Sequence, residues 1–183
     1  YVSNLGANWV TVVDVAAGAV AGRIELGAPE EDLGGIGNIS VAPDGKRLLV
    51  TLGSGARLAV VDPERRAVES WIEVGELPWR AFPSGDGRRV VVPNNGDGTA
   101  SVLDGATLAE LARIPVGGDI SSVNTAWFET LAFVLSRDRR SATVIDLDRA
   151  ERLAEIALPG TPEAGVVSDD GARLYVALGD AGS

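Results

Sequence analysis

Six side chains stand where a ligand could be held: Asn38, Trp79, Arg80, Asp119, Arg137 and Glu163. Trp79 and Arg80 are adjacent, and an aromatic face beside a fixed cation is a frequent hot-spot pairing at protein interfaces. Arg137 opens the run Arg137-Asp-Arg-Arg140, and a guanidinium there can take a carboxylate or phosphate through two parallel bonds. Asn38, Asp119 and Glu163 add polar and acidic groups on the same side of the repeat described below. Other clusters have simpler readings. Glu30-Glu-Asp32 reads as a solvated acidic loop, although a loop lengthened in one repeat only could also contact a partner or a metal. Asn94-Asn-Gly-Asp97 reads as a polar turn whose Asn and Gly tolerate left-handed backbone, although it could also hold a cation with neighbouring carbonyls. The chain has no His, Cys or Met. That removes the commonest general base, any thiolate nucleophile or zinc ligand, and the usual haem ligands. No catalytic residue, no metal site and no cofactor are expected in this segment.

These positions gain meaning from a repeat. Val10-Thr-Val-Val-Asp14, Leu58-Ala-Val-Val-Asp62, Ala100-Ser-Val-Leu-Asp104 and Ala142-Thr-Val-Ile-Asp146 end in aspartates spaced 48, 42 and 42 residues apart. Tyr1, Leu49, Val91, Phe133 and Tyr175 are spaced 48, 42, 42 and 42. The pairs Ile24/Leu26, Ile72/Val74, Ile114/Val116 and Ile156/Leu158 keep the same phase. The first period is six residues longer, and the excess falls between Gly27 and Asn38, in an enlarged loop. Each period holds four short runs rich in Val, Ile, Leu and Thr; in the second period they are Asn38–Ala42, Arg47–Leu52, Leu58–Asp62 and Val68–Val74. Turns such as Pro43-Asp-Gly45, Ser84-Gly-Asp-Gly87 and Ser168-Asp-Asp-Gly171 punctuate them. Weak helical spacing over Leu108–Arg113 and Ala150–Ile156 yields to the repeat phase, which places both in a fourth, outer strand. Four antiparallel strands per 42 residues is the signature of a β-propeller blade.

Tyr1-Val-Ser-Asn4, Val10-Thr-Val-Val-Asp14, Ala112-Arg-Ile-Pro-Val-Gly117, Val41-Ala-Pro-Asp-Gly-Lys46 and Leu174-Tyr-Val-Ala177 resemble the YVTN-type β-propeller repeat family over the whole chain. Trp127-Phe-Glu-Thr130 departs from it, replacing the Pro-Asp-Gly turn. The resemblance implies a seven-bladed ring, often secreted or periplasmic. Seven blades at this period need roughly 290 residues, so an all-β section of a seven-bladed ring is expected. Residues 1–37 form an incomplete first blade, 38–78, 79–120 and 121–162 three blades, and 163–183 an incomplete last one. The chain reads as a piece of a longer or processed polypeptide, its open ends completed by missing blades or by a second chain. Four-bladed closure would leave Leu174–Leu178 redundant with Tyr1–Asn4.

The recurring aspartates and Asp-Gly turns are needed once per blade, so the blade itself explains them. The loops leading into each inner strand reach the channel mouth and break the repeat: Gly37, Trp79, Ser121 and Glu163 occupy one position, and Asn38, Arg80, Ser122 and Ala164 the next. A purely structural position would be uniform, so these residues are the candidates for ligand contact, although the simpler reading of Trp79 is that it covers the seam between two blades. Net charge is -10, which disfavours nucleic acid as a partner, and no apolar run is long enough to span a bilayer. The first reading is therefore a non-catalytic binding or scaffold propeller, periplasmic or extracellular, that holds a protein or small-molecule ligand at its channel mouth. The alternatives are a propeller domain of, or accessory to, a quinone- or haem-dependent periplasmic oxidoreductase, and a propeller lactone hydrolase using acids such as Glu30, Asp32, Asp119 and Glu163.

Overall fold

The computed structural model describes residues 1–4, 6–27, 34–125 and 130–179, and every regular element among them is a strand. No helix among the described residues is long and apolar enough to cross a membrane. A first sheet holds β1 (Val2–Ser3), β2 (Trp9–Asp14) and β3 (Ala19–Glu25). A second holds β4 (Ile36–Val41), β5 (Leu48–Leu52), β6 (Arg57–Asp62) and β7 (Ala67–Glu73). The third contains β8 (Phe82–Pro83), β9 (Arg89–Asn94), β10 (Thr99–Asp104) and β11 (Glu110–Pro115). The fourth contains β12 (Ile120–Thr125), β13 (Leu131–Ser136), β14 (Ser141–Asp146) and β15 (Glu151–Ala157). β16 (Pro162–Val167) and β17 (Leu174–Leu178) pair as a fifth. Strands follow sequence order in every sheet and pair antiparallel, which is the blade topology of a β-propeller.

The middle strands are apolar almost without interruption because both of their faces are buried. Successive side chains of a strand point to opposite faces, so each strand feeds two seams. In the second sheet Leu48, Val50, Leu52, Ala59 and Val61 pack with Val10, Ile24 and Leu26 of the first. Their neighbours Leu49, Leu58 and Val60 turn the other way, onto Ala81, Val90, Val92, Leu103 and Leu108 of the third. Val91, Ala100, Val102 and Ile114 repeat the move against Val123, Ala132, Val134 and Ile145 of the fourth. The core is thus a series of seams between blades rather than one central cluster.

The strand-end aspartates work as turn residues. Asp62 Oδ1 accepts the N–H groups of Glu64 (2.8 Å) and Arg65 (2.9 Å), and Asp104 Oδ1 those of Ala106 (3.1 Å) and Thr107 (2.9 Å). Asp14 takes the N–H of Ala17, and Asp146 that of Arg149. Removing any one carboxylate by an Asp→Ala change is expected to lower the thermal midpoint without altering ligand binding, a pairing that differential scanning fluorimetry and a binding assay check together. At the other turns, Asp44 and Asp86 are each held at about 2, against an ordinary 3.8. Burial alone would raise both. It is outweighed at Asp44 by the Lys46 and Arg47 N–H groups and the Arg47 guanidinium, and at Asp86 by the Ser84 hydroxyl and by Arg88. A depressed folded-state value adds stability that is present above the unfolded value and lost as pH falls through the folded one. The urea midpoint should therefore fall between about pH 4 and pH 2, and less steeply in a D44N/D86N variant.

One inner strand differs from expectation. The sequence places a full strand from Trp79, yet β8 is only Phe82–Pro83. Pro93 supplies the reason. Trp79 N–H donates to Pro93 O at 2.9 Å, but Pro93 has no N–H to return, so the pair makes one bond where an antiparallel ladder makes two.

Candidate functional site

The rim position singled out by its heterogeneity is a β-bulge. β12 pairs Ile120 with Ser136 and Ser122 with Leu135, leaving Ser121 as the extra residue. β16 pairs Pro162 with Leu178 and Ala164 with Ala177, leaving Glu163 extra. β4 shifts register between Ile36 and Ile39, across Gly37 and Asn38. In the third sheet the bridge Pro78↔Asn94 and the pair Phe82↔Val91 leave Trp79–Ala81 opposite two residues, again one too many. A bulge bends the strand and re-aims a side chain. It recurs where each inner strand starts, and it carries Trp79 in one blade and Glu163 in another.

Around these bulges the six candidates fall into two groups. The first surrounds Thr51, a fully buried residue of β5. Its hydroxyl accepts the Asn38 N–H at 2.9 Å and donates to Trp79 O at 2.8 Å, so one side chain ties the second blade to the third. The Asn38 carboxamide turns back on its own strand, its Oδ1 accepting the Ile39 N–H at 2.9 Å. Beside them the Trp79 and Phe82 rings stand tilted at 58° with centroids 5.8 Å apart. The Arg80 guanidinium lies over the Phe82 ring, 5.4 Å from its centroid, and Arg80 is exposed. Trp79, Phe82 and Arg80 thus form an aromatic and cationic platform fixed from behind by Thr51. Thr51→Val keeps the shape and leaves the part-buried Asn38 N–H and Trp79 C=O without this partner. It should cost about 1–3 kcal/mol in urea unfolding.

Arg137, Asp119 and Glu163 make the second group. Arg137 Nη1 bonds Asp119 Oδ1 at 2.9 Å, while Nη2 and Nε reach Glu163 Oε2 at 2.8 and 3.1 Å. Glu163 first and Asp119 second raise the Arg137 pKa above its ordinary value. Arg137 therefore joins the fourth blade to the fifth, with its donors facing two carboxylates of this chain. Asn95 holds the same repeat position one blade earlier and also reaches the next blade, its Oδ1 accepting the Ile120 N–H at 2.8 Å. Asp119 sits at φ 45°, a left-handed conformation that Asp tolerates better than most residues.

A polar cleft of about 520 Å³ opens between the third and fourth blades, lined by Asn95, Asp97, Gly118, Asp138 and Arg139 among others. Its carboxylates are engaged within the protein. Asp97 accepts the N–H groups of Glu76 (3.0 Å) and Thr99 (3.1 Å). Burial would raise the Asp138 carboxyl, but the Ser136 hydroxyl and the Gly118 and Arg139 N–H groups hold it below the usual carboxylate range. The run from Asn94 to Asp97 is thus a bonded turn. Glu30 and Asp32 lie outside the described residues, as does most of the Trp127-Phe-Glu-Thr130 segment. Thr51 escapes sequence reasoning, although a signal exists. Its repeat equivalents in the later blades are Pro93, Leu135 and Ala177, so a hydroxyl sets it apart from those three, while Ser3 carries one in the first blade.

No family model matches the chain, and no curated protein matches it. Among solved structures 956 chains match, so the architecture is widespread and by itself selects no function. One of them is a chain of Kuenenia stuttgartiensis hydrazine synthase, with a TM-score of 0.71 and 28% identity over 84% of this chain and 44% of that one. The chain accordingly spans less than half the length of that neighbour.

Proposed function

We propose that this is a YVTN-type propeller that binds or scaffolds rather than catalyses, working in the periplasm or outside the cell, with a ligand at the channel mouth. The observation that carries this reading is the platform of Trp79, Arg80 and Phe82. It sets the exposed Arg80 cation over the half-buried Phe82 ring and beside the half-buried Trp79, on a bulge whose backbone Thr51 anchors. Preorganised aromatic and Arg anchors are what binding hot spots use. An acidic segment of a protein partner fits such a platform better than a basic one. Arg137 is a tether on this reading, not a ligand contact, because Asp119 and Glu163 already occupy it. The test is a set of immobilised acidic peptides read by biolayer interferometry. Arg80→Ala should weaken binding at least about tenfold, which is about 1.4 kcal/mol, with the thermal midpoint unchanged. Equal binding by wild type and variant would sink the platform.

A second reading, an accessory domain of an oxidoreductase, has its support in the similarity to a chain of hydrazine synthase. Any thiolate, imidazole or thioether ligand to a redox cofactor would have to come from outside these residues, since the chain has no His, Cys or Met. Co-purification with a coloured partner would favour this reading. For a lactone hydrolase, Asp119 and Glu163 do converge, but on Arg137.

A further inference from the structure

The aromatic platform continues along its own segment. Residues 76–79 run antiparallel beside residues 93–96. Gly96 N–H donates to Glu76 O at 2.9 Å, Asn95 N–H to Leu77 O at 3.0 Å, and Trp79 N–H to Pro93 O at 2.9 Å. Along this fixed run Glu76, Leu77 and Arg80 are exposed. Leu77 is the unexpected member. It sits at φ 47°, where its repeat equivalents are Gly35 at 76° and Asp119 at 45°, residue types that enter left-handed backbone more readily than leucine. Leu108 has φ 61° but is 1% exposed, so burial offsets its strain, whereas Leu77 is 53% exposed. A backbone outlier that its own packing does not explain points to function. Beside Leu77 a notch of about 310 Å³ opens toward the β5–β6 hairpin, lined by Gly53, Ser54, Gly55, Ala56, Glu76 and Leu77. That is the small end of the usual range for ligand pockets. Charge is divided along the run. Arg80 stands at one end. Glu76 stands at the other, where its N–H donates to the exposed Asp97 carboxylate at 3.0 Å, so two carboxylates gather there.

We propose that residues 76–80 form one dipolar docking strip, and that its partner is an extended protein segment with an acidic, an aliphatic and a basic side chain set along it. This partner rests on the platform proposed above and adds the second half of what the platform holds. The acidic side chain meets Arg80 beside Trp79 and Phe82. The aliphatic one enters the notch against Leu77, and the basic one meets Glu76 and Asp97. From Glu76 to Arg80 the run covers at most about 13 Å at about 3.3 Å per residue, so the acid and the base of the partner lie about four residues apart. Complementary charge of this kind fixes register and suppresses wrong partners more than it adds affinity. The order of side chains in the partner should therefore matter, not only its content of acid.

The probes are immobilised peptides read by biolayer interferometry against the 183-residue chain. They carry Lys-Leu-Ser-Ser-Asp, its reversal Asp-Ser-Ser-Leu-Lys, the scrambled Leu-Asp-Ser-Lys-Ser, and the acid-only Ser-Ser-Ser-Ser-Asp. One of the first two, whichever matches the direction of the strip, should bind at least about threefold more tightly than the scrambled and acid-only peptides. An E76K variant should lose at least about threefold on that matched peptide and nothing on the acid-only one. Replacing the peptide Lys by Glu should restore the binding that E76K loses. An L77G variant should also weaken the matched peptide by about threefold. Its thermal midpoint should not fall, because glycine takes φ 47° without strain. Equal binding of matched and scrambled peptides, or no effect of E76K and L77G, would overturn the strip. If Arg80→Ala still weakened every peptide, the platform would stand without it. Failure of all four peptides to bind the wild type, or indifference of all of them to Arg80→Ala, would overturn both.

Discussion

Gly105→Ala should destabilise the protein by about 3 kcal/mol, a large share of the roughly 5–15 kcal/mol that holds a domain folded. Gly105 follows the strand-end Asp104, and its N–H donates to Arg88 O at 2.7 Å. That bond draws the turn between β10 and β11 onto the turn between β8 and β9. A Cβ on residue 105 would lie 1.9 Å from Gly87 O and 2.7 Å from the Arg88 carbonyl carbon. Both are backbone atoms, so no side-chain rotation relieves the overlap; one turn must move, and the Gly105–Arg88 bond lengthens or breaks. The fourth blade accommodates Leu147 at the same position with an equivalent bond, Leu147 N–H to Thr130 O at 2.8 Å. The restriction therefore belongs to the Gly87–Arg88 turn, not to the repeat in general. Urea unfolding measures the cost. A midpoint within error of wild type would mean that this turn yields as freely as that of the fourth blade.

The blade architecture was legible because the repeat is written in side chains that every blade needs. The strand-end aspartates recur since each turn must satisfy the same N–H groups, and Ile24, Ile72, Ile114 and Ile156 recur since each outer strand meets a seam. The rim was legible only as a place where the repeat fails. Trp79 and Glu163 stand out in the sequence only as breaks in the repeat; the bulge beneath them is a property of how two strands pair, one extra residue on one strand against its partner, and no residue of that run marks it. Arg137 could not be assigned from its own run, because its partners lie 18 and 26 residues away on two other elements. The shortness of β8 follows from Pro93 on the neighbouring strand, so a reading of residues 79–83 alone misses it. Left-handed backbone at Arg66, Leu108 and Ala150 was equally hidden: their equivalent in the first blade, Gly18, announces the conformation, while the other three adopt it because the turn imposes it.

Leu103→Ala should cost about 2–5 kcal/mol, the usual range for a buried leucine whose surroundings relax only partly. Leu103 is 0% exposed and belongs to the seam in which Leu49, Leu58 and Val60 of the second blade meet Val90 and Val92 of the third. Each seam buries the faces of two blades, so the loss should be local. The truncation weakens the second–third contact and leaves the first–second and third–fourth clusters with all their side chains. Hydrogen exchange should therefore accelerate across β5, β6, β9 and β10 while protection in β14 changes less. This seam is also the one Thr51 closes at the rim, where its hydroxyl holds Trp79 O at 2.8 Å. A seam opened by Leu103→Ala should loosen the platform from behind and weaken the same acidic peptides that Arg80→Ala loses, though through added mobility rather than a missing contact. Leu153→Ala on the outer strand β15 is the control. That residue is 58% exposed and should leave both stability and binding within about 0.5 kcal/mol of wild type. Uniform acceleration of exchange through all five sheets after Leu103→Ala would mean that the blades unfold as one cooperative unit, and the seam-by-seam account of the core would fail.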